Sequence, residues 1–241
     1  DDIANSQVRQ DFQTSELVLE SRYARDELFI QSDNDRISLG TSRWPIITVR
    51  YTKGFKGVIN SQFDYDKVRL SFYKRLRFGP LGVGNLNLTG EKVFGTLPYP
   101  LLGLHLGNQS PIYTPITYNL MNYGEFVSDQ YATLQYQHHF EGFLLNRIPL
   151  LRKLKWRLVG TANVIYGGLS QQNIDINASN TPEGEETLPL GYFDDRPYIE
   201  LGYGVENIFR FLRIDFVHRM SYLENPDIRK FAVMFSFQFN L

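Results

Sequence analysis

The side chains best suited to chemistry in this chain are a histidine pair, a set of arginines and one acid-rich stretch. His138 and His139 are adjacent within YATLQYQHHF. Neighbouring residues on a strand point to opposite faces, so the two imidazoles cannot share a metal and read as interfacial or wall residues. Arg69 and Arg75 in DKVRLSFYKRLRF, and Arg213, Asp215 and Arg219 in FLRIDFVHRM, fall at even spacings, which puts each group on one face of its strand. Packing such charges into a dry core is prohibitive unless every one is paired, whereas a watery lumen or solvent accommodates them. The stretch from Asp175 to Asp195 is acidic, yet its spacing is not that of an EF-hand, so a solvated loop is the better reading. GNQS and GLSQQ form no nucleophile elbow, and no histidine or acid stands at a telling distance from them. GVGNLNLTG is glycine-rich, but no helix follows it to cradle a phosphate. No catalytic residue, metal site or cofactor is expected.

The elements carrying these residues are strands. KFAVMFSFQFNL alternates Phe231, Val233, Phe235, Phe237 and Phe239 with Ala232, Met234, Ser236, Gln238 and Asn240. The same period recurs in TSELVLESRYA, IITVRYTKG, DKVRLSFYKRLRF, GNLNLTGEKVF, YATLQYQHHF, KWRLVGTANVIYG, YIELGYGVEN and FLRIDFVHRM, giving about nine strands. Connections alternate in character: RFGPLG and ENIFR are short, while 96–125 and 168–197 are long. FLLNRIPLLRKLKW mixes apolar residues with Arg147, Arg152, Lys153 and Lys155 and suits an interfacial segment or a long turn.

Composition narrows the choice. A net charge of -1 argues against a nucleic-acid partner, and the absence of cysteine excludes disulfides and thiolate chemistry. The longest apolar runs fall far short of a membrane helix, so any span must be made of strands. The opening DDIANSQVRQ has no basic start and no apolar signal core, and reads as a segment of a longer chain. Two architectures remain. One is an antiparallel transmembrane β-barrel with the aromatic faces, Phe231, Phe235, Phe237 and Phe239 among them, toward lipid, Arg69, Arg75, Arg213, Asp215 and Arg219 toward the lumen, and Tyr23, Tyr51, Trp156, Tyr166 and Tyr203 in interfacial girdles. The other is a soluble β-sandwich. The sorted loops favour the barrel.

The strings LPYPLLGLHLGNQ, NLMNYGEFVSDQYATLQYQHHFEGFLLNRIPLLRKLKW and GVENIFRFLRIDFVHRMSYLENPDIRKFAVMFSFQFNL resemble a family of outer-membrane proteins of unknown function. Its members pair an N-terminal carboxypeptidase-regulatory-like sandwich with a C-terminal barrel, and that barrel resembles the BamA/TamA insertase superfamily. The resemblance implies an all-β fold forming about nine C-terminal strands of a sixteen-stranded barrel in the bacterial outer membrane. The 96–125 loop itself carries Pro98, Pro100, Pro111 and Pro115 with Leu101, Leu102, Leu104, Ile112 and Ile116, and a loop that apolar is expected to pack into the lumen or under a partner, with Leu101, Leu104, Asn122 and Tyr123 as inward candidates. Insertases carry an arginine on that loop that pairs with an acid in the wall. LMNYGEF offers no arginine and KWRLVGTANVIYG no acid, so that lock is not carried over. The implied role is a non-enzymatic scaffold or accessory subunit beside an insertase or transporter, with outer-membrane lipid and protein as partners. The alternatives are a channel with a basic lumen and a soluble binding module.

Overall fold

The computed structural model describes residues 12–32, 35–41, 43–179 and 191–237. Its frame is one antiparallel sheet of nine strands: β1 (Glu16–Ala24), β4 (Ile46–Gly54), β5 (Tyr65–Arg77), β6 (Val83–Phe94), β9 (Gln130–His139), β10 (Arg157–Gly168), β11 (Tyr198–Ile208), β12 (Leu212–Arg219) and β13 (Phe231–Phe237), paired in that order. Two small ladders stand outside this sheet, the hairpin of β2 (Glu27–Ser32) with β3 (Asp35–Thr41), and the pairing of β7 (Gly103–Leu104) with β8 (Val127–Ser128) across the long loop. The chain is therefore all-β and antiparallel. The sheet is open among the described residues, with β1 and β13 as its edges. Phe239, read from sequence as part of the last apolar face, lies outside the described residues.

Alternation along each strand sorts the side chains into an apolar and a polar face, and the register aligns them across the sheet. Tyr23, Ile47, Phe72, Leu88, Leu134, Val164 and Ile199 are successive cross-strand partners from β1 to β11. The adjacent row on the other face is Tyr73, Asn87, Gln135, Asn163, Glu200 and Arg219. Large apolar residues on the first face, among them Leu19, Leu70, Tyr203, Phe231, Phe235 and Phe237, are exposed. The buried residues lie on the polar side, where loops cover the sheet. One cluster joins Tyr118, Met121, Phe126, Ile165, Phe193, Tyr198 and Tyr222, and a second joins Tyr65, Val93, Leu97, Leu102 and Val127.

Connections segregate by end, with two departures from the pattern of short and long loops. At the end of the RFGPLG turn, the β2–β3 hairpin fills the connection from β1 to β4, and helix α1 (Pro149–Leu154) fills most of that from β9 to β10. Pro149 suits the first turn of α1, where its missing N–H costs nothing, and Lys155 in the left-handed conformation ends it. At the opposite end, the stretch read as a polar loop contains helix α2 (Gln171–Ser179). Asn173 fixes that helix: its side-chain oxygen accepts from the Leu97 N–H at 2.8 Å and its amide donates to Asp129 at 2.9 Å. Periodicity missed α2 because tertiary hydrogen bonds, not an apolar stripe, hold it.

The Phe78–Gly82 turn depends on two glycines for different reasons. Gly82 has φ +107 and a Cβ there would lie 1.9 Å from the His139 carbonyl oxygen, whereas Gly79 has φ +61 and open space around it. Gly79→Ala should cost about 1 kcal/mol, the left-handed strain alone, and Gly82→Ala at least about 3 kcal/mol. Urea unfolding of the two variants checks the order.

Candidate functional site

The segment between β6 and β9 crosses the polar face rather than standing clear of the sheet. It is stiffened from within by two asparagines. Asn108 donates to Asn119 Oδ1 at 2.9 Å and to the Ile112 carbonyl at 2.7 Å, and Asn119 Oδ1 accepts from the Thr114 N–H at 3.1 Å. Asx side chains bond the local backbone readily, which lets a proline-rich loop adopt one course.

Three anchors tie this loop to the wall. On β11, buried Glu200 accepts from the N–H of Asn119 at 2.9 Å, the N–H of Leu120 at 2.6 Å and the Tyr198 hydroxyl at 2.7 Å. On β12, Arg219 donates to both oxygens of Glu125, at 2.9 and 2.5 Å, and to the carbonyls of Ser221 and Tyr222 at 3.0 and 2.9 Å. Its guanidinium also lies 4.7 Å from the Tyr198 ring centroid. Glu125 takes two further hydrogen bonds, from the Asn122 N–H and the Asn225 amide, each at 2.9 Å. At the sheet edge, the Tyr113 N–H donates to the Phe235 carbonyl at 2.8 Å and the Phe235 N–H to the Pro111 carbonyl at 2.9 Å, so Pro111–Tyr113 covers part of the free edge of β13.

Arg213 and Asp215, two residues apart on β12, form a bidentate pair at 2.7 and 2.6 Å, and the Arg213 guanidinium stacks 4.7 Å from the Tyr113 ring centroid. Gln137, with its amide oxygen turned toward Arg213, accepts from both terminal nitrogens. Arg213, Asp215 and Arg219 thus lie on the polar face, as their spacing implies, but they are buried and paired under the loop and present no charge to open water. Arg69 is paired with Glu91, leaving Arg75 alone of the four arginines without an ion pair among the described residues.

The inward candidates divide. Leu101 packs on the cluster around Tyr65 and Leu97, and Asn122 bonds Glu125 and the Asp227 carbonyl. Leu104 pairs with Val127 but is partly exposed, and Tyr123 is 74% exposed and anchors nothing. The anchors that sequence reasoning missed are Tyr113, Tyr118, Leu120, Met121, Glu125 and Phe126. Glu125 and Glu200 carried a faint signal, as acids among apolar and aromatic residues in NYGEF and YIELGY. An ion pair between loop and wall does exist, in the reverse sense to the insertase lock: the acid is on the loop and the arginine on the wall.

Other constellations stay structural. His139 Nδ1 lies 2.9 Å from Glu206 on the polar face, while His138 turns to the Leu81 carbonyl and Phe140 on the other. His105 Nε2 and Ser128 Oγ are 2.7 Å apart, but both residues are buried, and Asp129 is spent on Ser170 and Asn173. No group of metal-ligating side chains occurs among the described residues.

Fold and site together define an antiparallel all-β domain whose polar sheet face is covered by its own loop. The chain belongs to the family of unknown function DUF5686, matching that family's C-terminal domain over residues 3–179. The match includes the loop and Glu125 but ends before β11 and β12, which carry Glu200 and Arg219. No curated protein matches the chain.

Two predictions test the anchors. Arg219→Met should destabilise by about 3–5 kcal/mol, because it strands Glu125 in a buried site, and Glu125→Gln in that background should recover part of the loss. Thermal unfolding of the single and double variants measures this. The second concerns pH. Burial pushes His105 down to about 3, so the unfolded chain takes up that proton below its ordinary value of 6.5 while the folded one does not, and stability falls as pH drops through this window. Burial opposes ionisation of Glu125, but hydrogen bonds led by Arg219 outweigh it and hold its carboxyl below the usual range, so its contribution is lost at lower pH still. Protection factors over 97–129, with amide exchange rates normalised to the intrinsic rate at each pH, should fall from pH 7 to pH 5, and His105→Gln should flatten that change.

Proposed function

We propose that this domain is a stretch of the wall of a transmembrane β-barrel in a bacterial outer membrane, acting as a non-enzymatic scaffold or accessory subunit of an assembly or transport complex. The observation that carries the membrane reading is the uncovered apolar face. Nine strands about 4.8 Å apart make a face roughly 40 Å wide, far larger than the patches soluble monomers leave bare. The residues that a soluble sheet would turn to water lie instead on the side where the loops pack. Strand length agrees, since β1, β4, β5, β6, β9, β10 and β11 have at least nine residues each. A tilted membrane strand needs about 9–11.

Parity supports completion by further strands. With nine antiparallel neighbours, β1 and β13 run parallel, so closing them on each other would join parallel edges. Bacterial single-chain barrels have even strand numbers. An odd complement restores antiparallel closure, and seven strands give the sixteen implied by resemblance.

The scaffold role is favoured over a basic channel because the loop occupies the polar face and three of the four candidate arginines are already paired. The test is purification of the full-length protein from outer membranes in mild detergent, with mass spectrometry of what accompanies it. The expected result is resistance to carbonate extraction and recovery with an insertase or transporter in fixed proportion. Release into the aqueous fraction would overturn the membrane reading, and recovery alone would overturn the scaffold role.

A further inference from the structure

Toward the RFGPLG end, the polar face holds a cavity of about 350 Å³ spanning β5, β6, β9, β10 and β11, clear of the loop anchors. Its lining includes Tyr73, Arg75, Asn85, His139, Arg157 and Glu206. The charged groups lining this cavity pair off with one exception. Glu206 is taken by His139 at 2.9 Å, and Glu141, at the rim, is taken by Arg157 at 2.7 Å. Asn85 Oδ1 accepts from the Tyr73 hydroxyl at 3.2 Å, and the Asn207 amide is spent on the Lys155 carbonyl at 2.7 Å. Arg75 makes no hydrogen bond or ion pair among the described residues, and Asn85 keeps its amide N–H groups unengaged there. The two are direct cross-strand partners, so their free donors point into the same space. Arg75 is thus the charged lining group left without a counter-charge, and a planar guanidinium beside a free amide fits an oxyanion.

We infer that this cavity binds the oxyanion group, phosphate or carboxylate, of a small ligand, with Arg75 as its principal contact and Asn85 as the second donor. The remaining volume is far more than one such group fills, so a sugar-sized body attached to the anion fits the space. Arg77 lies two residues further along the same face of β5. The inference uses the polar face alone and holds whether or not the apolar face meets lipid.

Isothermal titration of the full-length protein in detergent with glucose 1-phosphate, glucuronate and glucose tests it. At least one of the two anions should bind saturably and glucose should not; which anion binds identifies the oxyanion as phosphate or carboxylate. Arg75→Gln and Asn85→Asp should each weaken binding at least tenfold, and Arg75 is exposed and unbonded, so its replacement leaves the fold intact. Lys67→Gln, a basic residue on the same face outside the cavity, should bind as the parent does. Absence of saturable binding of either anion, equal binding by Arg75→Gln, or an equal loss in Lys67→Gln would overturn the inference.

Discussion

Glu200 and Arg219 face each other across β11 and β12, both almost without access to water, yet they do not pair with one another. Each is bound by the loop instead: Glu200 takes two backbone N–H groups and Arg219 takes Glu125. A buried charge without a partner costs several kcal/mol, so the loop cannot leave without exposing that cost on both strands. The rest of the polar side is arranged around this dependence. Phe126 stacks on Phe193 at 4.4 Å beside the ion pair, and Tyr198 serves both charges, donating to Glu200 and lying under the Arg219 guanidinium.

Further along the sheet the same constraint is met without a loop. Arg50 and Arg69 are directly opposed on β4 and β5, a repulsive arrangement alone, but Glu20 on β1 and Glu91 on β6 flank them in the same row and pair with each. Charges near water thus form a cross-strand ladder, and charges away from water recruit the loop. The gradient follows the loss of screening as the face is covered. Toward the RFGPLG end the balance is left incomplete, with Arg75 lacking a counter-charge among the described residues.

Much of the sheet was legible in the sequence, because a period of two is a local property and each strand repeats it independently. Within β12 and β10 the faces read from FLRIDFVHRM and KWRLVGTANVIYG agree with the register, while Lys155, Trp156 and Met220 fall outside the strands. The β2–β3 hairpin and α2 were not legible. In the second case QQNIDINAS has no apolar stripe, and its helix is held by asparagines reaching to Leu97 and Tyr99, over seventy residues away in the chain. The candidate site was legible in part. The proline-rich and apolar composition of 96–125 pointed to a packed loop, but Tyr123 was named where Glu125, two residues on, makes the contact. The sequence marks both as able to bond, and only their orientation separates them.

The sequence by itself determined an all-β chain, two chemically opposed faces, and most of the charge on one of them, since alternation needs only neighbouring residues to express itself; the exceptions, among them Lys53, Asp66 and Lys92, sit toward the strand ends. The tertiary structure decided which charges meet water and which are sealed. Arg69, Arg75, Arg213 and Arg219 look alike in the sequence, yet one is left open, one sits in a ladder and two are buried beneath a loop. The burial of the last two rests on loop contacts about a hundred positions apart in the chain, Tyr113 on Arg213 and Glu125 on Arg219, and no local pattern encodes them.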